Sequence, residues 1–290
     1  MNIKLKLLNL YGKTRSIVYD GLTQKKCEVS LGDLMLRRAD LTFGQIMAAS
    51  RYMDIKAYCE KGDESFKYLN AISRAQYGKH HGDGSQSNRS FIKLIESYKK
   101  NGYMETSLLT VDKFCNMIDG THRIGANLYF GFDELNVKMV KRTSITGMWQ
   151  TPDQYFRTPL QTSVLDDIMD AYQEIQGRFI EIGNTFCCWI KGQYENEQVS
   201  LISDMKILAN VLRVTPVSAS VGGVLIQFSL PLPEYTVKNG KLYSQRAARI
   251  EKLLLKRKDM FGLDCEIKMS KSCLEGKEIW EVYNKLKSIE

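Results

Sequence analysis

The stretch that most constrains the fold of this chain is Asn116–Arg123, which reads N-M-I-D-G-T-H-R. Apolar residues lead up to Asp119, Gly120 permits a tight turn, and a helical pattern begins immediately afterwards. Such a helix directs its first free N–H groups, and the positive end of its dipole, at whatever lies above the turn. The alternative interpretation is a plain strand–turn–helix connection in which the aspartate caps the helix and the arginine is solvated.

Two side chains strengthen the interpretation of this turn as an anion site. His122 adds a titratable hydrogen-bond donor, and Arg123 adds a fixed cationic fork. Backbone amides, an imidazole and a guanidinium in one place suit a phosphate group. We therefore expect phosphate to contact Gly120, Thr121, His122 and Arg123.

Hydrophobic periodicity predicts a regular order of elements around the turn. Thr42 and Gln45 form a capping box ahead of one apolar helical face, and Asn101-Gly102 ends another helix. The predicted elements are helices over 43–60, 64–72 and 88–100, strands over 107–111 and 114–118, a helix over 121–130 and an edge-type strand over 135–140. The order across the centre is therefore helix, strand, turn, strand, D-G-T-H-R, helix, strand.

The segment Ser73–Asn88 differs from its neighbours because it has three glycines and no aliphatic residue beyond Ala75. Its composition predicts a loop, and a loop of this length inside a compact domain is usually functional or disordered. One interpretation is an exposed flexible loop. The other is a flap that closes over an anionic ligand and brings positive charge to it from Lys79, His80 and His81.

The helix ending in N-G, the short hairpin and the D-G-T-H-R signature together resemble the ParB/sulfiredoxin superfamily. The resemblance covers about residues 73–142. ParB proteins hold CTP phosphates with a G-E-R-R type sequence, sulfiredoxins bind ATP with G-C-H-R, and the free-serine kinases use D-G-H-H-R. The signature here is closest to the kinase version. Thr121 stands where sulfiredoxin has its reactive cysteine, so sulfinic-acid repair is not expected.

The resemblance implies a ParB/sulfiredoxin-like nucleotide-binding unit. Together with the predicted elements on either side of it, we expect an α/β (α+β) protein with a mixed C-terminal portion of unassigned fold. The predicted segments are 1–72, with N-terminal strands and helices, 73–145, with the nucleotide-binding unit, and 150–290, a C-terminal α/β domain. In the last segment we expect a helix capped by Ser163 and Asp166, a strand over 221–232, a basic helix ending at Gly262 and a final helix after Glu275.

Three functions remain open. The first is an ATP- or CTP-dependent phosphotransferase or nucleotide hydrolase acting on a small hydroxyl compound or sugar-type metabolite. ATP or ADP is favoured, CTP is an alternative, and Mg²⁺ would bridge the phosphates. The predicted catalytic residues are Asp119, His122 and Glu105, and Asp119 is also the predicted metal ligand. The second function is a ParB-type DNA-associated nucleotide switch or nuclease. The third is a catalytically silent assembly protein.

Composition limits the partners and the cellular compartment that we expect for this protein. The formal charge of +8 permits a nucleic-acid partner without requiring one. The densest basic cluster is Lys256-Arg257-Lys258, which on a helix is typically a solvated face. Seven scattered cysteines without a C-x-x-C pair indicate reduced thiols rather than a disulfide framework or zinc site. With no convincing signal peptide and no apolar run of spanning length, we expect a soluble, cytoplasmic protein.

Overall fold

The computed structural model describes residues 24–36, 41–77, 85–103, 108–140, 156, 158–192, 195–217 and 222–287. The helices are α1 (Leu31–Met35), α2 (Phe43–Lys61), α3 (Lys67–Tyr77), α4 (Ser85–Asn101), α5 (Thr121–Phe130), α6 (Thr162–Glu181), α7 (Glu195–Leu208), α8 (Gln245–Phe261) and α9 (Cys273–Lys287). The strands are β1 (Gln24–Ser30), β2 (Leu109–Asp112), β3 (Met117–Asp119), β4 (Glu134–Val140), β5 (Phe186–Lys191), β6 (Asn210–Pro216), β7 (Val224–Ser229), β8 (Tyr235–Lys238), β9 (Lys241–Ser244) and β10 (Glu266–Met269). The mixed content agrees with the predicted α+β class.

The first sheet has six strands in the order β3-β2-β4-β1-β9-β8. β1 pairs antiparallel with β4 along the full length of both strands. β2 runs parallel to β4 on its other side, so β4 is an interior strand and the prediction of an edge-type strand is wrong. Its alternating pattern arises because one face of the strand contacts the core while the other is only half-buried. The sheet takes strands from all three predicted segments.

The second sheet has four antiparallel strands in the order β10-β5-β7-β6. All six residues of β7 and the first five of β5 are buried. A strand that is covered on both faces appears in the sequence as a continuous apolar run, as V-L-I-Q-F-S does here. The predicted strand over 221–232 is confirmed by β7 within that range, and Phe186–Lys191 forms a strand as well.

A buried carboxylate joins the two halves of the core. Asp33 accepts hydrogen bonds from the hydroxyl of Tyr235 (2.6 Å) on β8 and from the backbone N–H of Cys273 (2.9 Å) at the start of α9. Burial raises the pKa of this carboxyl above its usual range, although the hydrogen bonds oppose the shift. The seven cysteines are thiols rather than disulfides, and all except Cys59 are buried.

Two helices follow the sequence prediction closely. Thr42 and Gln45 form the predicted capping box of α2, with the Thr42 hydroxyl accepting from the Gln45 N–H, and Gly62 ends the helix in the left-handed conformation. α8 ends at Gly262 in the same way. Both helices have strong start and stop signals, which local chemistry alone can specify.

Other boundaries require correction. Every residue of the predicted loop Ser73–Asn88 that the structure describes is helical, because α3 continues to Tyr77 and α4 begins at Ser85. Serine and glutamine are tolerated within helices, so a polar composition alone does not exclude a helical conformation. α6 begins at Thr162 without a side-chain cap, so Ser163 and Asp166 do not form the predicted cap. No helix in the described ranges is long and apolar enough to cross a membrane.

Candidate functional site

The D-G-T-H-R stretch forms a strand, a single-residue turn and a helix, as predicted. β3 ends at Asp119, Gly120 has φ +94° and ψ +18°, and α5 begins at Thr121. The Ile124 N–H donates to the Gly120 carbonyl at 3.0 Å, which closes the first helical turn. No side chain caps the helix. The start of α5 is therefore a helix N-terminus without the usual side-chain acceptor.

The turn has room only for glycine. A Cβ on Gly120 would lie 2.0 Å from Leu109 Cδ2 and 3.1 Å from Arg123 Nη2. The positive φ is also one that side chains other than glycine rarely adopt. The turn is thus held between a core leucine on β2 and the Arg123 guanidinium, which folds back over it.

Arg123 and Asp119 face each other across the turn. Arg123 Nη2 lies 3.5 Å from Asp119 Oδ2, a long contact for a charge-assisted hydrogen bond. The Arg123 side chain is largely buried, whereas that of Asp119 is 71% exposed. The carboxylate therefore remains open to solvent beside a positively charged turn, where it can reach a ligand.

His122 is uncharged in the folded protein near neutral pH. Its ring packs edge-on against Phe91 of α4, with centroids 5.1 Å apart and an angle of 74° between the planes. Burial, followed by repulsion from Arg51 and Arg123, lowers the pKa of His122 to about 3. The imidazole can therefore donate a hydrogen bond to a ligand, but it does not bring a positive charge to the site.

Arg51 is the site residue that the sequence analysis did not identify. It lies on α2 with only 2% of its surface exposed, and its Nη1 donates to Ser50 Oγ at 2.7 Å. α5 approaches α2 closely at Gly125, where a Cβ would lie 2.5 Å from Arg51 Cβ. This close approach brings a second guanidinium to His122. The sequence signal is a charged residue inside a helix that is otherwise buried along its first half.

Asp54, one turn beyond Arg51, has a structural role. Its two carboxylate oxygens accept from the backbone N–H groups of Tyr68 (3.1 Å) and Leu69 (2.6 Å), which caps α3 from a neighbouring helix. Burial raises the pKa of Asp54 to about 6, while these hydrogen bonds and Arg51 lower it. Its carboxylate also interacts with Arg51, so Asp54 offsets part of the positive charge that Arg51 brings to His122.

Of the predicted site residues not yet placed, only Thr121 lies in the part of the chain that the structure describes. Thr121 is the first residue of α5 and is half-buried beside the turn. Lys79, His80, His81 and Glu105 lie outside the described residues. Cys115, expected within a strand, instead precedes β3 in a left-handed conformation and is buried. Among the described residues, no group of three histidine, cysteine or acidic side chains is arranged to hold a metal ion.

A cleft of about 360 Å³ lies between α2, α3 and α6, and none of the predicted site residues lines it. Five of its polar side chains are joined by hydrogen bonds. Tyr52 and Lys56 both donate to Glu174, at 2.8 and 3.0 Å, and the Tyr68 hydroxyl donates to Asp167 at 2.9 Å. We interpret these contacts as a seam that holds α6 against α2 and α3. The turn at Gly120 is the better candidate site, because its helix N-terminus has no side-chain cap.

Comparison with known proteins gives no independent assignment of this site. No protein-family model, curated protein or solved structure matches the chain.

Proposed function

We propose that the start of α5 binds the phosphates of a nucleoside triphosphate or diphosphate and that the protein is a nucleotide-dependent phosphotransferase. The acceptor would be a small hydroxyl compound or sugar-type metabolite. The observation that carries the proposal is the uncapped N-terminus of α5, directly after the left-handed Gly120, with the guanidiniums of Arg51 and Arg123 close to His122. Resemblance of the D-G-T-H-R signature to the free-serine kinases supports the choice of reaction.

Electrostatics favour an anion at this position. A helix N-terminus stabilises a nearby negative charge by about 0.3–1 kcal/mol, and by up to about 2 kcal/mol when partly buried. Hydrogen bonds to a charged group add about 1.5–3 kcal/mol each. Because Arg123 is largely buried beside the turn, its charge is less screened than that of a surface arginine. A phosphate contacting both Arg123 and the α5 amides would therefore be bound more firmly than at an exposed cation.

Each residue has a distinct proposed role. Amides at Gly120 and Thr121 would cradle phosphate oxygens, and the neutral His122 would donate a hydrogen bond. Arg123 would offset the charge that develops on the transferring phosphoryl group. Glu105 stays a predicted catalytic carboxylate, and Lys79, His80 and His81 stay predicted flap residues.

The exposed carboxylate of Asp119 fits a magnesium ion held mainly by substrate phosphates. Mg²⁺ usually keeps several waters and takes one or two protein carboxylates in such sites. When bound, the ion would supply charge neutralisation between phosphate oxygens. Asp119 would orient the ion, and Arg123, on the opposite side of the turn, would contact the phosphate.

A thermal-shift screen with ATP, ADP, CTP and GTP, each with and without Mg²⁺, tests the binding step. A ligand at 100 times its Kd stabilises the native state by about 2.7 kcal/mol, which is readily detected. We expect ATP or ADP to give the largest shift. The nucleotide that binds would then be incubated with pools of hydroxyl compounds and sugars. The readout is acceptor-dependent loss of one phosphate from the nucleotide, which converts a triphosphate to a nucleoside diphosphate or a diphosphate to a nucleoside monophosphate. No shift with any nucleotide would contradict the proposal.

A further inference from the structure

The exposed side of α8 is unusual for a surface helix. The helix reads Q-R-A-A-R-I-E-K-L-L-L-K-R-K-D-M-F and buries only Ala247, Ile250 and Leu254. Its exposed residues are basic, at Arg246, Arg249, Lys252, Lys256 and Arg257, or apolar, at Leu253, Leu255, Met260 and Phe261. Asp259 is the only acidic residue on that exposed surface. α8 therefore presents basic and bulky apolar groups to solvent together.

Four of these residues form a continuous stripe. Arg249, Leu253, Lys256 and Met260 follow one another at intervals of four, three and four, so they share one face of the helix. That face is opposite the buried residues Ala247 and Leu254. Met260 is 67% exposed. The stripe thus alternates cationic and apolar side chains along nearly the whole helix.

The neighbouring helix α7 extends the apolar part of this surface. Arg257 Nε lies 3.1 Å from Asp204 Oδ2 of α7, and the Arg257 guanidinium lies 4.6 Å from the centre of the Phe261 ring. Ile207, about one turn beyond Asp204 on α7, is 82% exposed. Ile207 therefore adds to the apolar groups near the C-terminal end of α8.

Several basic side chains on the exposed side of α8 form no ion pair within the described residues. The ion pairs of α8 involve Arg249 with Glu234, Arg257 with Asp204, and Glu251 with Lys271. Lys252 and Lys256 form no such pair within the part of the chain that the structure describes. Two lysines that flank Leu253 are thus available to an external anionic surface.

We infer that this face, defined as Arg249, Lys252, Leu253, Lys256 and Met260 of α8 with Ile207 of α7, docks the protein onto an anionic lipid surface. Apolar side chains of an interfacial helix enter the boundary between headgroups and acyl chains, and its lysines and arginines contact anionic headgroups. The face supplies both requirements on one side of one helix. Binding would be peripheral and reversible.

The apolar residues favour a lipid surface over nucleic acid. Contacts to a duplex backbone are made by basic and polar groups and would leave Leu253 and Met260 exposed to water. A lipid interface buries these side chains while it neutralises Lys252 and Lys256. Charge complementarity and apolar burial therefore point to the same occupant.

Co-sedimentation of the full chain with phosphatidylcholine vesicles, with and without phosphatidylglycerol, tests this inference. We expect binding only to the anionic vesicles and a decrease in binding as salt is raised. The double variant Lys252→Ala/Lys256→Ala should weaken binding by about fivefold for each lysine removed. Leu253→Ser/Met260→Ser should also release the protein, because it removes the apolar anchor while keeping every charge.

Two matched controls separate this face from general charge and hydrophobicity. Lys93→Ala/Lys100→Ala removes two exposed lysines from α4, and Val282→Ser removes an exposed apolar side chain from α9. Both should bind anionic vesicles like the original protein. Three outcomes would overturn the inference. They are no binding to anionic vesicles, an equal loss of binding in the α4 control, and binding to duplex DNA that depends on Lys252 and Lys256 in a protein that does not bind vesicles. None of these outcomes depends on nucleotide binding, so the two proposals fail independently.

Discussion

Positive charge is concentrated in two regions of this molecule that differ in their contact with water. The first region is the start of α5, where Arg123 is largely buried and Arg51 of α2 is buried. Close packing of α5 against α2 holds both arginines in place. On α8, the basic residues are exposed and separated by apolar ones. Buried charges interact strongly over short distances, whereas exposed charges are screened by salt. The first arrangement suits one defined anion, and the second suits an extended anionic surface.

The largest expected effect comes from separating α5 from α2. Alanine normally stabilises a helix by about 1 kcal/mol relative to glycine. Gly125→Ala should instead destabilise the protein by about 2–4 kcal/mol, because its Cβ would lie 2.5 Å from Arg51 Cβ and 3.0 Å from the Tyr52 backbone nitrogen. Urea unfolding provides the measurement.

Gly177→Ala on α6 is the matched control, because no atom lies within 4 Å of the position that a Cβ on this helical glycine would take. It should stabilise the protein by about 0.5–1 kcal/mol. If both alanines were stabilising, α5 would not pack closely against Arg51. The contrast between tightly packed charges at the start of α5 and exposed charges on α8 would then be wrong.

The next effect is a pair of opposite pH dependences within the buried region. The folded pKa of His122, about 3, lies below the usual 6.5, so stability should fall as pH decreases from 6.5. The folded pKa of Asp54, about 6, lies above the usual 3.8, so stability should fall as pH rises from 3.8 to 6. Each slope is at most about 1.4 kcal/mol per pH unit.

The variants His122→Gln and Asp54→Asn separate these two slopes. At pH 5, His122→Gln should remove a penalty of about 2 kcal/mol, and Asp54→Asn should remove the opposing loss between about pH 4 and 6. Denaturant unfolding at several pH values between about 4 and 7 measures both. Parallel pH profiles for the original protein and the two variants would show that neither group is buried as described.

A smaller effect is expected at the exposed edge of the site. Asp119→Asn removes a negative charge next to Arg123, and the contact between them is long and solvent-exposed on the Asp119 side. Folding stability should therefore not change measurably. Nucleotide affinity should fall a few-fold in the presence of Mg²⁺ and stay equal or rise without it, as measured by titration calorimetry. The same change under both conditions would remove Asp119 from the proposed magnesium site.

The sequence predicted the parts of the fold that local chemistry specifies. The capping box at Thr42, the glycine stops after α2 and α8, and the helix that follows Gly120 all depend on residues a few positions apart. The order of the first sheet was not predictable in this way. β9 reaches β1 from more than 200 residues along the chain, and it pairs with β1 at Glu28↔Lys241.

The site was predicted in part for a similar reason. Asp119, Gly120, Thr121, His122 and Arg123 are contiguous, so their meeting at one turn follows from the sequence. Arg51 joins them only because Gly125 lets α5 approach α2. The neutral state of His122 also depends on burial and on that second arginine. Neither fact is encoded within the D-G-T-H-R stretch.

The central claim is that the nucleotide phosphates bind at the start of α5. The most direct test compares the affinity of the preferred nucleotide for the variants Arg123→Ala and Lys256→Ala by titration calorimetry. Both variants remove one positive charge, one from the turn at the start of α5 and one from the exposed face of α8. We predict at least a tenfold loss for Arg123→Ala, about 1.4 kcal/mol, and no change for Lys256→Ala, with both variants folded. Equal affinities in the two variants, or a larger loss for Lys256→Ala, would contradict the assignment of the nucleotide phosphates to the α5 turn.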